Sequence, residues 1–253
     1  MTTHPDRWPA GTPAWADLTV PSLDDARAFY GPLLGWDFEV GGPETGGYTQ
    51  ATLDGRRVVG FGEAGADAHV APRWCVYLAT NDVVTAAQQV GAGGGQVLAG
   101  PTTIGDLGTM ALASDPDGSP FGLWQSRDHT GWDVVAEPGA MAWTEVMSPD
   151  QPTALAFYAA VSGLEPQDMS GDGFVYATLR QGADPVTGVG QTADDSRTGW
   201  TLYLGTADAD ATTARALELG GTVLVEPQDS PFGRVAVLQG PFGETFAVIA
   251  SAW

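Results

Sequence analysis

The stretch Trp15-Ala-Asp-Leu-Thr-Val-Pro21, followed by Ala26-Arg-Ala-Phe29-Tyr30 and Gly35, returns 128 residues later as Trp143-Thr-Glu-Val-Met-Ser-Pro149, Ala154-Leu-Ala-Phe157-Tyr158 and Gly163. Recurrence in a fixed order marks a duplicated structural unit. Further matches extend it. Gly47-Tyr48-Thr-Gln50-Ala-Thr-Leu53 aligns with Gly173-Phe174-Val-Tyr176-Ala-Thr-Leu179, and Trp74-Cys-Val-Tyr77-Leu aligns with Trp200-Thr-Leu-Tyr203-Leu. Pro116-Asp-Gly-Ser-Pro-Phe121 aligns with Pro241-Phe-Gly-Glu-Thr-Phe246. A polar linker, 127–139, separates a first module at 12–126 from a second at 140–253.

Each copy carries the same local signals. Residues 14–20 alternate as a strand, and Ser22 caps a helix with Asp24 and Asp25 in its first turn and Leu23, Ala26, Phe29, Tyr30, Leu33 and Leu34 at helical spacing. Asp150 caps the matching helix. Short runs at 48–53 and 57–62, divided by Gly and Asp, read as antiparallel strands. A second strand and helix start at Trp74 and Asn81, and Trp200 starts their copy. The chain therefore reads as α+β, with four βαβββ units paired into two curled-sheet modules. One unit has a single sheet face and one helix, too little to close a core; pairing units curls their sheets around a shared cavity, so two cavities are expected.

Composition narrows the function. Net charge is −21, with no lysine and ten arginines scattered among 31 carboxylates. Phosphate backbones are held by basic patches, so nucleic acid is not an expected partner. No apolar run approaches the roughly 18 residues of a membrane span, and the polar, proline-rich start does not read as a secretory signal; the expectation is a cytoplasmic protein without a membrane partner. The lone Cys75 reads as a small packing residue. The Gly91-Ala-Gly-Gly-Gly-Gln run lacks the GK[ST] ending of a phosphate loop and reads as a helix end and turn. Abundant Ala, Gly and Arg without lysine suggest a GC-rich, actinobacterial source.

The A-x-x-FY-x-x-x-x-G helices at Ala26–Gly35 and Ala154–Gly163, with the turns Asp115-Pro-Asp-Gly118 and Gly240-Pro-Phe-Gly243, resemble the vicinal-oxygen-chelate superfamily of glyoxalase, bleomycin-resistance and dioxygenase-like proteins, in tandem two-domain form. The resemblance implies the fold over residues 12–252. It leaves function open among isomerases, ring-cleaving dioxygenases, thiol transferases and drug-sequestering proteins. Metal-using relatives carry ligands before the FY helix, at the start of the second unit and after the D-P-x-G turn. Those positions hold Trp15 and Trp143, Trp74 and Trp200, and Gly122 and Ala247. An indole N–H only donates, and Gly or Ala offers no ligand. The three histidines, His4, His69 and His129, have no partner at metal-site spacing. No metal or other cofactor is expected.

Trp15, Trp74, Trp143 and Trp200 either fill half-buried strands or line the cavities and stack on a flat ligand. Tyr48, Gln50, Tyr176, Phe121 and Trp124 are further ligand candidates; Trp124 stands where the second module has Ile249. Asp17 and Glu145, two residues after their tryptophans, share their strand face. In a cavity each would be a general acid or base; at a rim each would bond backbone or an arginine such as Arg73. Tyr77 and Tyr203, three residues after Trp74 and Trp200, read as packed against helices. Two functions follow. One is a metal-independent protein holding an aromatic or apolar, natural-product-like small molecule, for sequestration or resistance. The other is a cofactor-free isomerase, cyclase or lyase using Asp17 or Glu145. Cavities filled by side chains would remove both. Four units in one chain point to a monomer, with a homodimer as the alternative.

Overall fold

The computed structural model describes residues 2–3, 6–42, 45–64, 72–171, 173–193 and 197–251; His4 and His69 lie outside them. The first module runs β2 (Pro13–Val20), α1 (Leu23–Leu34), β3 (Asp37–Val40), β4 (Thr49–Leu53), β5 (Arg56–Glu63), then β6 (Trp74–Ala79), α2 (Val83–Ala92), β7 (Gln96–Ile104), β8 (Gly108–Ser114) and β9 (Pro120–Ser126). The second runs β11 (Met141–Ser148), α3 (Gln151–Ser162), β12 (Glu165–Asp168), β13 (Tyr176–Gln181), β14 (Asp184–Gln191), then β15 (Gly199–Gly205), α4 (Ala209–Glu218), β16 (Thr222–Ser230), β17 (Gly233–Gln239) and β18 (Thr245–Ala250). Short strands β1 (Thr2–Thr3) and β10 (Val134–Val135) pair with each other, and β10 joins β11.

Each module forms its own sheet, ordered β3-β4-β5-β2-β6-β9-β8-β7 and β12-β13-β14-β11-β15-β18-β17-β16. In both, the two βαβββ units meet at an antiparallel central pair, β2 with β6 and β11 with β15. The expected caps are present: the Ser22 side chain accepts from Asp25 N and that of Asp150 from Thr153 N, while Gly35 and Gly163 end their helices at φ 74° and 72°. A left-handed residue there is best supplied by glycine. Among the described residues no helix is long and apolar enough to cross a membrane.

The FY signature turns out to join the modules. α1 packs with α4, and α2 with α3, so each module's first helix lies against the other module. Tyr30 donates a buried hydrogen bond of 2.6 Å to Glu244, and Tyr158 one of 3.0 Å to Asp115. Phe29 meets Phe246 edge-on, and Phe157 meets Phe121 the same way. A Cβ on Gly93 or Gly95 would strike the Phe157 ring, so the glycine run after α2 serves as a helix end and also as a seat for the second module. Phe121, a cavity candidate by sequence, is fully buried in this contact and does not face the cavity.

Candidate functional site

Alternation along β2 sends Ala14, Ala16 and Leu18 to the helix side and Trp15 and Asp17 to the other. Pairing carries that face across the sheet: Trp15 opposes Tyr77 and Asp17 opposes Cys75 on β6, and Tyr77 and Ala79 oppose Gly122 and Trp124 on β9. Trp15, Asp17, Tyr77 and Trp124 therefore converge. Trp74 opposes Leu18 and faces the other way, buried edge-on to Tyr30. The expectation that Trp74 and Trp200 line the cavities is corrected, and so is the placement of Tyr77 and Tyr203 against helices. Trp200 instead bonds the Tyr158 hydroxyl at 3.0 Å and borders a hollow between the modules.

A hydrogen-bond chain crosses the converging face. Trp15 Nε1 donates to the Tyr48 hydroxyl at 2.9 Å, and that hydroxyl donates to Asp17 Oδ2 at 3.3 Å. Tyr48 reaches the carboxylate because Gly60, the β5 residue opposite Asp17, has no side chain; a Cβ there would overlap the Tyr48 hydroxyl. Gly122 leaves room for the Tyr77 ring in the same way.

These side chains wall a cavity of about 180 Å³. Gln50 and Thr45 join Trp15, Asp17, Tyr48 and Tyr77, while Ile104, Leu107, Met110 and Trp124 supply apolar surface. The last wall is His129, which sequence reasoning did not assign to the site. Its only sequence signal was a histidine beside the module boundary. The segment expected as a linker is tied to the first module: His129 N bonds Leu107 O, Trp124 Nε1 bonds His129 O at 2.9 Å, and Asp133 takes a two-pronged ion pair from Arg57. The His129 ring stands edge-on to Trp15 at 4.6 Å and to Trp124 at 5.7 Å. Its Nδ1 is sealed from solvent without a hydrogen-bond partner.

Burial decides the electrostatics. It pushes the Asp17 carboxyl up to about 7, against the pull of hydrogen bonds from Tyr77 and Tyr48. Burial, with Arg57 adding to it, holds His129 down at about 4. Near neutral pH the cavity thus holds a carboxyl that both gives and takes a proton, beside a neutral imidazole.

The second module repeats the chain with closer contacts to its carboxylate. Trp143 Nε1 donates to Tyr176 at 3.0 Å, and Glu145 accepts from Tyr176 at 2.9 Å and from Tyr203 at 2.7 Å. Tyr176 is the counterpart of Tyr48; the alignment of Tyr48 with Phe174 fails because Gly60 and Gly188, which admit the two tyrosines, keep the same spacing as the two tryptophans. Glu145 is clamped by two close hydroxyls. Asp17, shorter by one methylene, receives a longer bond from Tyr48 and borders open space.

The donor set does not fit a divalent ion held by three side chains. Among the described residues no three His, Cys, Asp or Glu side chains come together. The Trp15 N–H is spent on Tyr48, and the Tyr77 ring covers Gly122, the position that corresponds to a third ligand in metal-using relatives.

Two family models match the chain: the Glyoxalase/Bleomycin resistance protein/Dioxygenase superfamily over residues 12–123 and the Glyoxalase-like domain over 128–249. The "Putative glyoxylase CFP32" of Mycobacterium tuberculosis is 38% identical over 249 residues, 96% of this chain and 95% of that one. The anthracycline biosynthesis protein DauV of a Streptomyces species is 36% identical over 259 residues, covering 96% and 94%. In fold, a Mn(II)-bound glyoxalase from Novosphingobium aromaticivorans superposes with a TM-score of 0.66 at 18% identity, over 95% of this chain and 82% of that one. The chain belongs to the glyoxalase, bleomycin resistance protein and dioxygenase superfamily, with two such modules in tandem.

Proposed function

We propose that the protein binds a flat aromatic or apolar molecule of natural-product type in the cavity of the first module, without a metal ion, and acts as a monomer on that small molecule alone. The supporting observation is the cavity itself: Trp15, Trp124, Tyr48, Tyr77 and His129 present ring faces and edges around one carboxyl. A dry cavity of about 150 Å³ takes up benzene, so about 180 Å³ admits one or two fused rings, or the edge of a larger polycycle projecting through the mouth. The Streptomyces relative, named for anthracycline biosynthesis, supports a polycyclic aromatic ligand. Bleomycin resistance in the family description supports sequestration.

Asp17 favours a second reading, a cofactor-free isomerase, cyclase or lyase. A carboxyl poised near neutral pH beside aromatic walls is suited to moving a proton on the bound molecule. Glu145, held by two close hydroxyl donors, is the alternative acid or base.

The test is tryptophan fluorescence of chelator-treated protein titrated with polycyclic aromatic compounds and, separately, with divalent metals. Saturable quenching by an organic compound, unchanged by metal and lost in Trp15→Phe with Trp124→Phe, supports ligand binding at this cavity. A metal-dependent change with no organic response refutes the proposal.

A further inference from the structure

His129 has no role in the fold that its nitrogens explain. It is 5% exposed, its ring is held by edge contacts to Trp15 and Trp124, and its buried Nδ1 bonds nothing. With Nδ1 sealed off, the ring nitrogen open to a ligand is Nε2, which is not among the sealed, unpaired atoms. The imidazole belongs to a segment outside both βαβββ repeats, pinned by the Arg57–Asp133 ion pair and by the Trp124 bond to its own carbonyl. It borders the same cavity as Asp17, which rises from the β2 wall. A ligand filling this cavity would meet both Asp17 and His129.

Resting on the reading of this cavity as a ligand site, we propose that Asp17 and His129 form a metal-free enolising pair acting on cyclic ketones fused to an aromatic ring. The Asp17 carboxylate takes a proton from the carbon next to the ketone. The C–H electron pair becomes the C=C bond, and the C=O pair moves onto oxygen, where the neutral His129 Nε2–H donates a hydrogen bond to the enolate. Asp17 then returns the proton to the same carbon, or to another carbon of the conjugated system. The result is an exchange or a tautomerisation in which nothing is oxidised or reduced and no co-reactant is consumed. A neutral imidazole is the suitable partner: it stabilises the developing oxyanion without giving up its own proton, as in enzymes that pair a carboxylate base with a neutral histidine. The low proton affinity of His129 agrees with that assignment.

The probe is 2-tetralone, a two-ring, benzo-fused cyclic ketone of the size the cavity admits. Binding is read by tryptophan quenching, and proton transfer by NMR-detected loss of its α-protons in D2O at pH 7. The wild-type protein should accelerate exchange at least ~100-fold over buffer. Asp17→Asn should abolish the acceleration while quenching persists. His129→Phe, which keeps the ring packing, should bind and lower exchange roughly 10- to 100-fold, and His129→Gln, which keeps an N–H, should recover part of it. Quenching with exchange at the buffer rate, or His129→Phe exchanging as fast as wild type, overturns the enolising pair and leaves the cavity a binding site. Absence of quenching by 2-tetralone and by every polycyclic compound in the panel overturns both.

Discussion

Replacing Asp17 by Asn should stabilise the protein, and by an amount that grows with pH. Folding raises the proton affinity of this carboxyl from 3.8 to about 7, chiefly by burial. The sign follows from linkage: with the folded-state value raised, the favourable contribution is complete below pH 3.8 and is lost as pH climbs through 7. At 1.36 kcal/mol per decade, the wild-type penalty is about 1.5 kcal/mol at pH 5 and about 4 kcal/mol above pH 7. Asp17 is only half-buried, so solvent screens the charge and both figures are ceilings. Asn keeps the shape and accepts from Tyr48 without ever ionising. Urea denaturation of both proteins from pH 5 to 8 should give curves that diverge with rising pH in favour of Asp17→Asn; in thermal melts the gap should widen by roughly 5–10 °C. A gap independent of pH, or a variant less stable at pH 8, would show that the carboxylate is stabilised by its partners, and the case for Asp17 as an acid and base at neutral pH would fail.

Gly122→Ala should displace the Tyr77 ring; the expected loss is about 1–3 kcal/mol of stability together with most of the quenching by an aromatic ligand. Tyr30→Phe should cost about 1–3 kcal/mol by leaving Oε1 of the buried Glu244 without its Tyr30 donor, while Phe242 N still holds Oε2, with ligand affinity unchanged, since neither residue lines the cavity. Phe157→Ala should cost about 3–5 kcal/mol in urea titrations, because the ring seats the second module against Gly93 and Gly95 of the first. Trp74→Phe should leave ligand quenching intact where Trp15→Phe removes most of it; equal losses would place the ligand elsewhere.

The duplicated FY helices made the fold legible, because a repeated apolar spacing with Ser22 or Asp150 in front and Gly35 or Gly163 behind has few other solutions. Asp17 with Trp15, and Glu145 with Trp143, were legible too, since residues two apart share a strand face. Trp74 misled for the same reason. It lies nine residues before its helix where Trp15 lies eight before α1, and one residue of offset turns a side chain to the opposite face. Counted from the helix, Cys75 and Tyr77 are the counterparts of Trp15 and Asp17, which is why Tyr77 reaches the cavity. Phe121 was misplaced because its partner, Phe157, lies in the other module, and contacts between modules leave no local period. His129 was out of reach for a similar reason: its position depends on the return of a boundary segment over β2, set by Gly131 against Ala14 and by Arg57 with Asp133.

The most direct measurement is a crystal structure of the protein with the tightest-binding compound of the aromatic panel, grown from chelator-treated protein. The ligand ring should lie against Trp15 and Trp124 with polar atoms at Asp17 and His129, and no metal density beside it. A ligand seated in the hollow by Trp200 or against Glu145, or one reaching the protein through a metal ion, would contradict the assignment of function to the first cavity.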